Sequence, residues 1–135
     1  MIKPPKIIVI KSKTSELKKV EIFLKEAFEF YQIPKKNFNS VFLCISEAVV
    51  NSIEHGNNYD EEKNVSVEVA CDKKEFIVTV SDEGKGFDMS ALPDPTQKSN
   101  IKKESGRGIH IIKSYCETME VVKNRSLIRF KMNCK

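Results

Sequence analysis

The chain has 135 residues, 40% of them hydrophobic, and a formal net charge of +4, which allows one domain with one core and hardly two. Nothing reaches the ~18 consecutive apolar residues of a membrane span, and the short apolar start, "MIKPPKIIVIK", is broken by Lys and Pro with no small-residue cleavage site after it. A soluble, cytoplasmic protein with no membrane partner is therefore expected. Lys and Arg are scattered among Asp and Glu, without an aromatic-interleaved basic patch or zinc-finger spacing, so no direct nucleic-acid partner is expected.

"KIIVIKS" (6–12) is short and β-branched, which predicts a strand. Thr14 or Ser15 then offers an N-cap. Leu17, Val20, Phe23 or Leu24, Ala27 and Phe28 recur at helical spacing, and the helix should end before Ile33 and Pro34. A second helix is expected over 35–55, with Phe38, Val41, Phe42, Ile45, Val49 and Ile53 on a face centred near Phe38 and Val49. Gly56 would cap its C-terminus. "NVSVEVACD" and "EFIVTVSD" alternate apolar and polar residues, and the short link at Asp72, Lys73 and Lys74 predicts an antiparallel hairpin. Residues 82–104 are polar, hold Pro93 and Pro95, and read as a long loop. "GRGIHIIKSYCETM" opens a third helix with Ile109, Ile112 and either Tyr115 or Cys116 facing inward. "MEVVKN" and "SLIRFKMN" are closing strands turned at Asn124 and Arg125. This order predicts an α+β two-layer sandwich, with helices on one face of a mainly antiparallel sheet.

Within the second helix, "SEAVVNSIEHGN" stacks Glu47, Asn51 and His55 at a spacing of four. Asn is a poor helix former, so Asn51 at mid-helix asks for a reason. The row should lie off the main packing face, Glu47 nearly opposite it and Asn51 and His55 on its shoulder. All five glycines, Gly56, Gly84, Gly86, Gly106 and Gly108, fall in "EHGN", "DEGKG" and "SGRG" at the ends of predicted elements. Glycine permits close backbone approach to a ligand, so three such junctions suggest one pocket. Asp82, at a strand end, could accept from the exocyclic amine of a base. The helix start at 105–108 exposes free N–H groups suited to phosphate, with Lys102, Lys103 and Arg107 nearby. The carbonyl of Asn51 is a hard oxygen donor that suits Mg²⁺ beside phosphates. Glu47, one turn before it, could act as a general base. A plain turn, an ordinary helix start and a solvated helix face remain the alternatives for each stretch alone. Cys44, Cys71, Cys116 and Cys134 lack C-x-x-C spacing and are expected to be free thiols rather than zinc ligands.

These stretches, in this order, resemble the GHKL ATPase superfamily, which includes gyrase, histidine kinases and the MutL repair proteins. "EAVVNSIEHG" is similar to its N box, "DEGKG" to its G1 box and "GRGIHII" to its G2 box. The running text "GFDMSALPDP…ESGRGIHIIKSYCETMEV" most resembles the anti-sigma factor serine/threonine kinases, although "SYCETMEV" departs from the more acidic run of relatives. The resemblance implies a Bergerat-type ATP site over one domain, residues 1–135. Asn51 would hold Mg²⁺, Glu47 would be the catalytic base, and Asp82 would bind the adenine amino group. Gly84 and Gly86 would shape the adenine side, and Gly106 and Gly108 would admit the phosphates. Arg107 would neutralise the terminal phosphate or touch a partner, and residues 88–104 would form a lid. It further implies two partners, a sigma factor that is sequestered and a STAS-domain anti-anti-sigma protein that is phosphorylated on Ser or Thr, together with a possible homodimer. The alternatives are a nucleotide-binding sequestering module without turnover and a histidine-kinase-type domain acting on a separate protein.

Overall fold

The computed structural model describes residues 3–72, 75–84, 112, 115, 116, 118–122 and 127–133. Their elements are β1 (Lys6–Lys11), α1 (Leu17–Tyr31), α2 (Phe38–Asn51), β2 (Asn64–Asp72), β3 (Glu75–Asp82), β4 (Thr118–Val122) and β5 (Leu127–Asn133). The strands form one sheet in the order β1-β2-β3-β5-β4, with every neighbouring pair antiparallel. The last strand thus lies inside the sheet and β4 forms its edge. The expected α+β sandwich is what the chain adopts.

Alternation in the strands sets the two faces of the sheet. Val65, Val67 and Val69 of β2, Phe76, Val78 and Val80 of β3, and Ile128, Phe130 and Met132 of β5 are buried on one face. The register aligns them in rows, for example Val67 with Val80 and Val80 with Ile128. Helix α1 covers this face with Val20, Leu24, Ala27 and Phe28, and α2 with Val41, Cys44, Ile45, Ala48 and Val49. Of the alternatives at the third position of α1, Leu24 is fully buried and Phe23 only partly. In α2 the packing face centres nearer Cys44 and Ala48 than expected, and Phe38 stays only partly buried. Edge-to-face contacts between Phe28 and Phe38 (5.3 Å) and between Phe28 and Phe76 (5.9 Å) join the helices to the sheet.

The helix ends differ from expectation. Neither Thr14 nor Ser15 caps α1. Residues Thr14–Glu16 form a 3₁₀ turn, and Glu16 occupies the N-cap position. Its carboxylate reaches back to the Lys11 N–H (3.2 Å) and pairs with Lys19 (2.9 Å), which hold it below the usual carboxylate range. At the other end Gln32 takes the left-handed conformation (φ 58°), the Ile33 N–H bonds to the Phe28 carbonyl, and Ile33 turns into the core before Pro34. In the last predicted helix, Ile112 is helical and buried, and it is Cys116 rather than exposed Tyr115 that packs against the core. Ile109 lies outside the described residues.

The opposite face of the sheet is polar toward β5. Ser66 and Ser81 share a hydrogen bond (2.6 Å), Arg129 donates to Thr79 (3.2 Å), and Arg129 pairs with Glu120 (3.2 Å). On β1 the same face is apolar, with Ile7 59% and Val9 58% exposed. No helix among the described residues is long and apolar enough to cross a membrane.

Phe76 is fully buried on β3 and meets rings from α1. Phe76→Ala should therefore cost about 3–5 kcal/mol of stability. Denaturant unfolding would read this as a large drop in midpoint, and a drop under 1 kcal/mol (about a methylene's worth) would contradict this packing.

Candidate functional site

Helix α2 does not end at Gly56. At Ser52 the helical hydrogen bonding widens into a π turn, Ser52–Gly56, closed by the bond from Asn57 N–H to the Ser52 carbonyl (2.8 Å). Gly56 is therefore helical and not a left-handed C-cap. Its role is to let β3 approach: a Cβ there would overlap the Asp82 carboxylate. Gly84 meets the same constraint from the other side, since a Cβ on it would run into the Gly56 carbonyl and backbone. Two backbones thus cross where no side chain fits, which is the close approach glycine allows.

The π turn begins just after Asn51, inside the polar row. One extra residue enters the turn, and the members of the row end in different environments. His55 is largely solvent-facing, with its ring 3.8 Å from the Glu54 carboxylate. Glu47 is half-buried. Its negative charge, together with burial and the nearby Cys116, helps raise the Cys44 thiol to about 12, burial being the largest cause. Asn51 is not on an exposed shoulder: it is only 3% exposed. It follows Cys44 by seven residues and Ala48 by three, and so lies on the face that α2 turns to the core.

Among the described residues, three buried side-chain atoms have no hydrogen-bond partner: Asn51 Oδ1, Asn51 Nδ2 and Asp82 Oδ2. Each such atom costs roughly 1–3 kcal/mol when it stays unsatisfied, and buried polar groups in folded proteins are otherwise almost always paired. Asn51 lies just over one helical turn before Gly56, and Gly56 touches Asp82. The three orphan atoms are therefore concentrated beside one backbone crossing. One end of this region offers a carboxylate oxygen able to accept from an amine. The other offers an amide whose oxygen can bind a hard cation or accept a hydrogen bond, and whose nitrogen can donate. The other oxygen of Asp82 is already satisfied, accepting from the Gly84 N–H at 2.8 Å.

A residue outside the sequence-based expectation organises this crossing. Asn57 is fully buried. Its amide nitrogen donates to Ser12 Oγ (2.7 Å) and to the Asn64 carbonyl (3.0 Å), and its oxygen accepts from the Glu83 N–H (2.9 Å). Ser12 Oγ donates in turn to the Lys63 carbonyl (2.7 Å), and the Glu83 carboxylate accepts from the Asn64 N–H. The dipeptide Asn57-Asn58 after a glycine is a turn signal, but its partners lie 7, 26 and 45 positions away. The turn that follows is tightly wound: Asn58 and Tyr59 have φ of 51° and 60°, and the Tyr59 N–H bonds to the Ile53 carbonyl. A left-handed Tyr is an outlier for a bulky residue.

Gly86, Gly106, Arg107, Gly108 and the predicted lid at 88–104 lie outside the described residues. So does Cys134, whereas Cys44, Cys71 and Cys116 are free thiols.

Comparison with known proteins places this geometry in a class. The histidine kinase-like ATPase domain matches residues 10–132, nearly the whole chain, and the protein belongs to that family. The fold agrees: the histidine kinase domain of the blue-light activated histidine kinase of Erythrobacter litoralis superposes with a TM-score of 0.51 at 15% identity, over 75% of this chain and 46% of that one. The chain spans less than half of that structure.

Closer in sequence are proteins named Anti-sigma F factor. The one from Clostridium perfringens is 31% identical over 97 residues, covering 67% of this chain and 69% of its own. The one from Oceanobacillus iheyensis is 35% identical over 80 residues, covering 58% of this chain and 55% of its own.

Gly84→Ala tests the crossing itself. Its added methyl meets backbone, which cannot swing aside as a side-chain tip can, so β3 and the π turn must separate. The expected outcome is a folded protein with a lower melting temperature and ATP binding reduced at least tenfold, about 1.4 kcal/mol. Unchanged binding would contradict the tight approach.

Proposed function

We propose that the protein is an Mg²⁺- and ATP-dependent protein serine/threonine kinase that also acts as an anti-sigma factor. It phosphorylates a STAS-domain anti-anti-sigma antagonist and sequesters a sigma factor. The observation that carries this reading is the set of orphaned polar atoms on Asn51 and Asp82, buried beside a glycine-only backbone crossing. Membership in an ATPase-domain family and similarity to proteins named Anti-sigma F factor support it.

In this reading the free oxygen of Asp82 receives the adenine amino group, and Gly84 and Gly86 shape the adenine side of the pocket, Gly84 by admitting the Gly56 backbone beside Asp82. Asn51 offers an unpartnered, hard amide oxygen, a donor type that fits Mg²⁺. When bound, Mg²⁺ supplies neutralisation of phosphate charge. Gly106 and Gly108 admit the phosphates to backbone N–H groups, Arg107 adds positive charge at the terminal phosphate, and residues 88–104 cover the nucleotide.

Glu47 lies one turn before Asn51, and being half-buried it is accessible to an approaching hydroxyl. As the antagonist's Ser or Thr oxygen bonds to the γ-phosphorus, Glu47 takes the hydroxyl proton. The bond from that phosphorus to the bridging oxygen breaks, and ADP leaves with the electron pair. Most of the rate enhancement then comes from positioning and charge neutralisation.

A homodimer is part of the same proposal. The exposed Ile7 and Val9 on edge strand β1 provide an apolar patch that a second copy could cover. The protein would act in the cytoplasm, where sigma factors are.

The test offers purified protein, Mg²⁺ and γ-labelled ATP to each STAS-domain protein of the source genome, with Glu47→Ala as control. The expected result is acid-stable label on one STAS protein, reduced by at least 10²-fold in the variant. Acid-labile label would point to histidine phosphorylation, and ATP binding with no label on any protein would leave a sequestering module without turnover. Normal transfer by Glu47→Ala would remove Glu47 from the role of base.

A further inference from the structure

We propose that Asn57 is the positioning residue that sets base selectivity in this site, by fixing the carboxylate of Asp82 for a 6-amino purine. The proposal rests on the nucleotide reading above and assigns a determinant within it.

Asp82 ends β3, and its carboxylate has little of its own to hold it. One oxygen accepts from the Gly84 N–H two residues on, and the other has no partner among the described residues. The direction of the free oxygen therefore depends on where the backbone of Glu83 and Gly84 runs. Asn57 fixes that backbone, because its side-chain oxygen accepts the Glu83 N–H at 2.9 Å. Asn57 is itself immobilised by donating to Ser12 at the end of β1 and to the Asn64 carbonyl at the start of β2. Ser12 is held in turn by the Lys63 carbonyl. One buried amide thus ties β1, β2 and the exit of β3 to the π turn that carries Gly56.

A carboxylate aimed this way discriminates by chemistry. An adenine amino group donates to it, whereas the carbonyl at the same place in hypoxanthine or guanine presents an acceptor to an acceptor. Sites built around such a pairing reject the mismatched analogue because a buried polar group is left unpaired. Positional error in the carboxylate would lose the preference before it loses binding through the phosphates.

The test compares ADP with inosine diphosphate, which differ in this group, by calorimetric titration in Mg²⁺ against wild type, Asn57→Ala, Asn57→Asp and Ser12→Ala. Wild type should prefer ADP by about tenfold or more, the worth of one hydrogen bond to a charged group. In Asn57→Ala the ratio should fall to about twofold through loss of ADP affinity, with inosine diphosphate affinity nearly unchanged. Asn57→Asp keeps an oxygen for the Glu83 N–H but loses the donor to Ser12 and the Asn64 carbonyl, and should recover the ratio only in part. Ser12→Ala loosens Asn57 without removing it and should lower the ratio part of the way, and it decides the matter if Asn57→Ala does not fold. A purely structural role would lower melting temperature and weaken both nucleotides equally. An unchanged ratio in folded Asn57→Ala, or in Ser12→Ala when the former is unfolded, overturns the proposal. A wild type that binds neither nucleotide overturns the nucleotide reading itself.

Discussion

The backbone of the helix end and the backbone of the strand end come together at Gly56 and Gly84 with no space for a side chain between them. Much of the candidate site follows from that contact. It requires glycine at position 84, and the Asp82 carboxylate takes the space that a side chain at position 56 would fill. At the same place the helix widens into a π turn, Ser52–Gly56. π turns of a single turn are rare and often accompany function. The turn begins just after Asn51, which is buried, and holds His55, which faces solvent.

The energetics make the same region unusual. The core below it is ordinary: valines, isoleucines and phenylalanines from the sheet meet two amphipathic helices, and nearly all are fully buried. Against it stand, among the described residues, three unsatisfied buried atoms at roughly 1–3 kcal/mol each, in a molecule whose net stability is expected to be about 5–15 kcal/mol. A left-handed Tyr59 in the adjoining turn adds strain. Costs of this size gathered in one place fit a site whose ligand satisfies the groups when it binds. The Asn57 network beside it holds the Glu83 backbone next to Asp82.

Periodicity made most of the fold legible in the sequence. The alternating valines of β2, the helical spacing of Val20, Phe23 or Leu24, Ala27 and Phe28, and the short link at Asp72, Lys73 and Lys74 all give signals that depend on a few neighbouring residues. Asp82, Asn51, Gly56 and Gly84 could also be singled out, because glycine clusters and a mid-helix Asn are locally out of place. Less legible were features that depend on distant contacts. Gly56 reads as a C-cap until β3 is seen against it. Asn51 reads as a shoulder residue when the packing face is centred on Phe38 and Val49, but the face that packs centres nearer Cys44 and Ala48, with which Asn51 aligns. Asn57 carries no local signal beyond a turn, since its partners are Ser12, Asn64 and Glu83. Thr14 and Ser15 look like caps, but a 3₁₀ turn and the pairing of Glu16 with Lys19 occupy that end.

Thermal unfolding of wild type and Asn51→Leu, each with and without Mg·ATP, tests the central claim most directly. Leu fills a similar volume and removes both orphan atoms, a change that can be neutral or stabilising when no protein partner is lost. The account predicts a ligand-free variant at least as stable as wild type. It also predicts that the stabilisation ATP gives wild type by mass action is largely absent from the variant. A variant that is markedly destabilised without ligand, yet keeps the full shift with Mg·ATP, would contradict the assignment of Asn51 to a ligand.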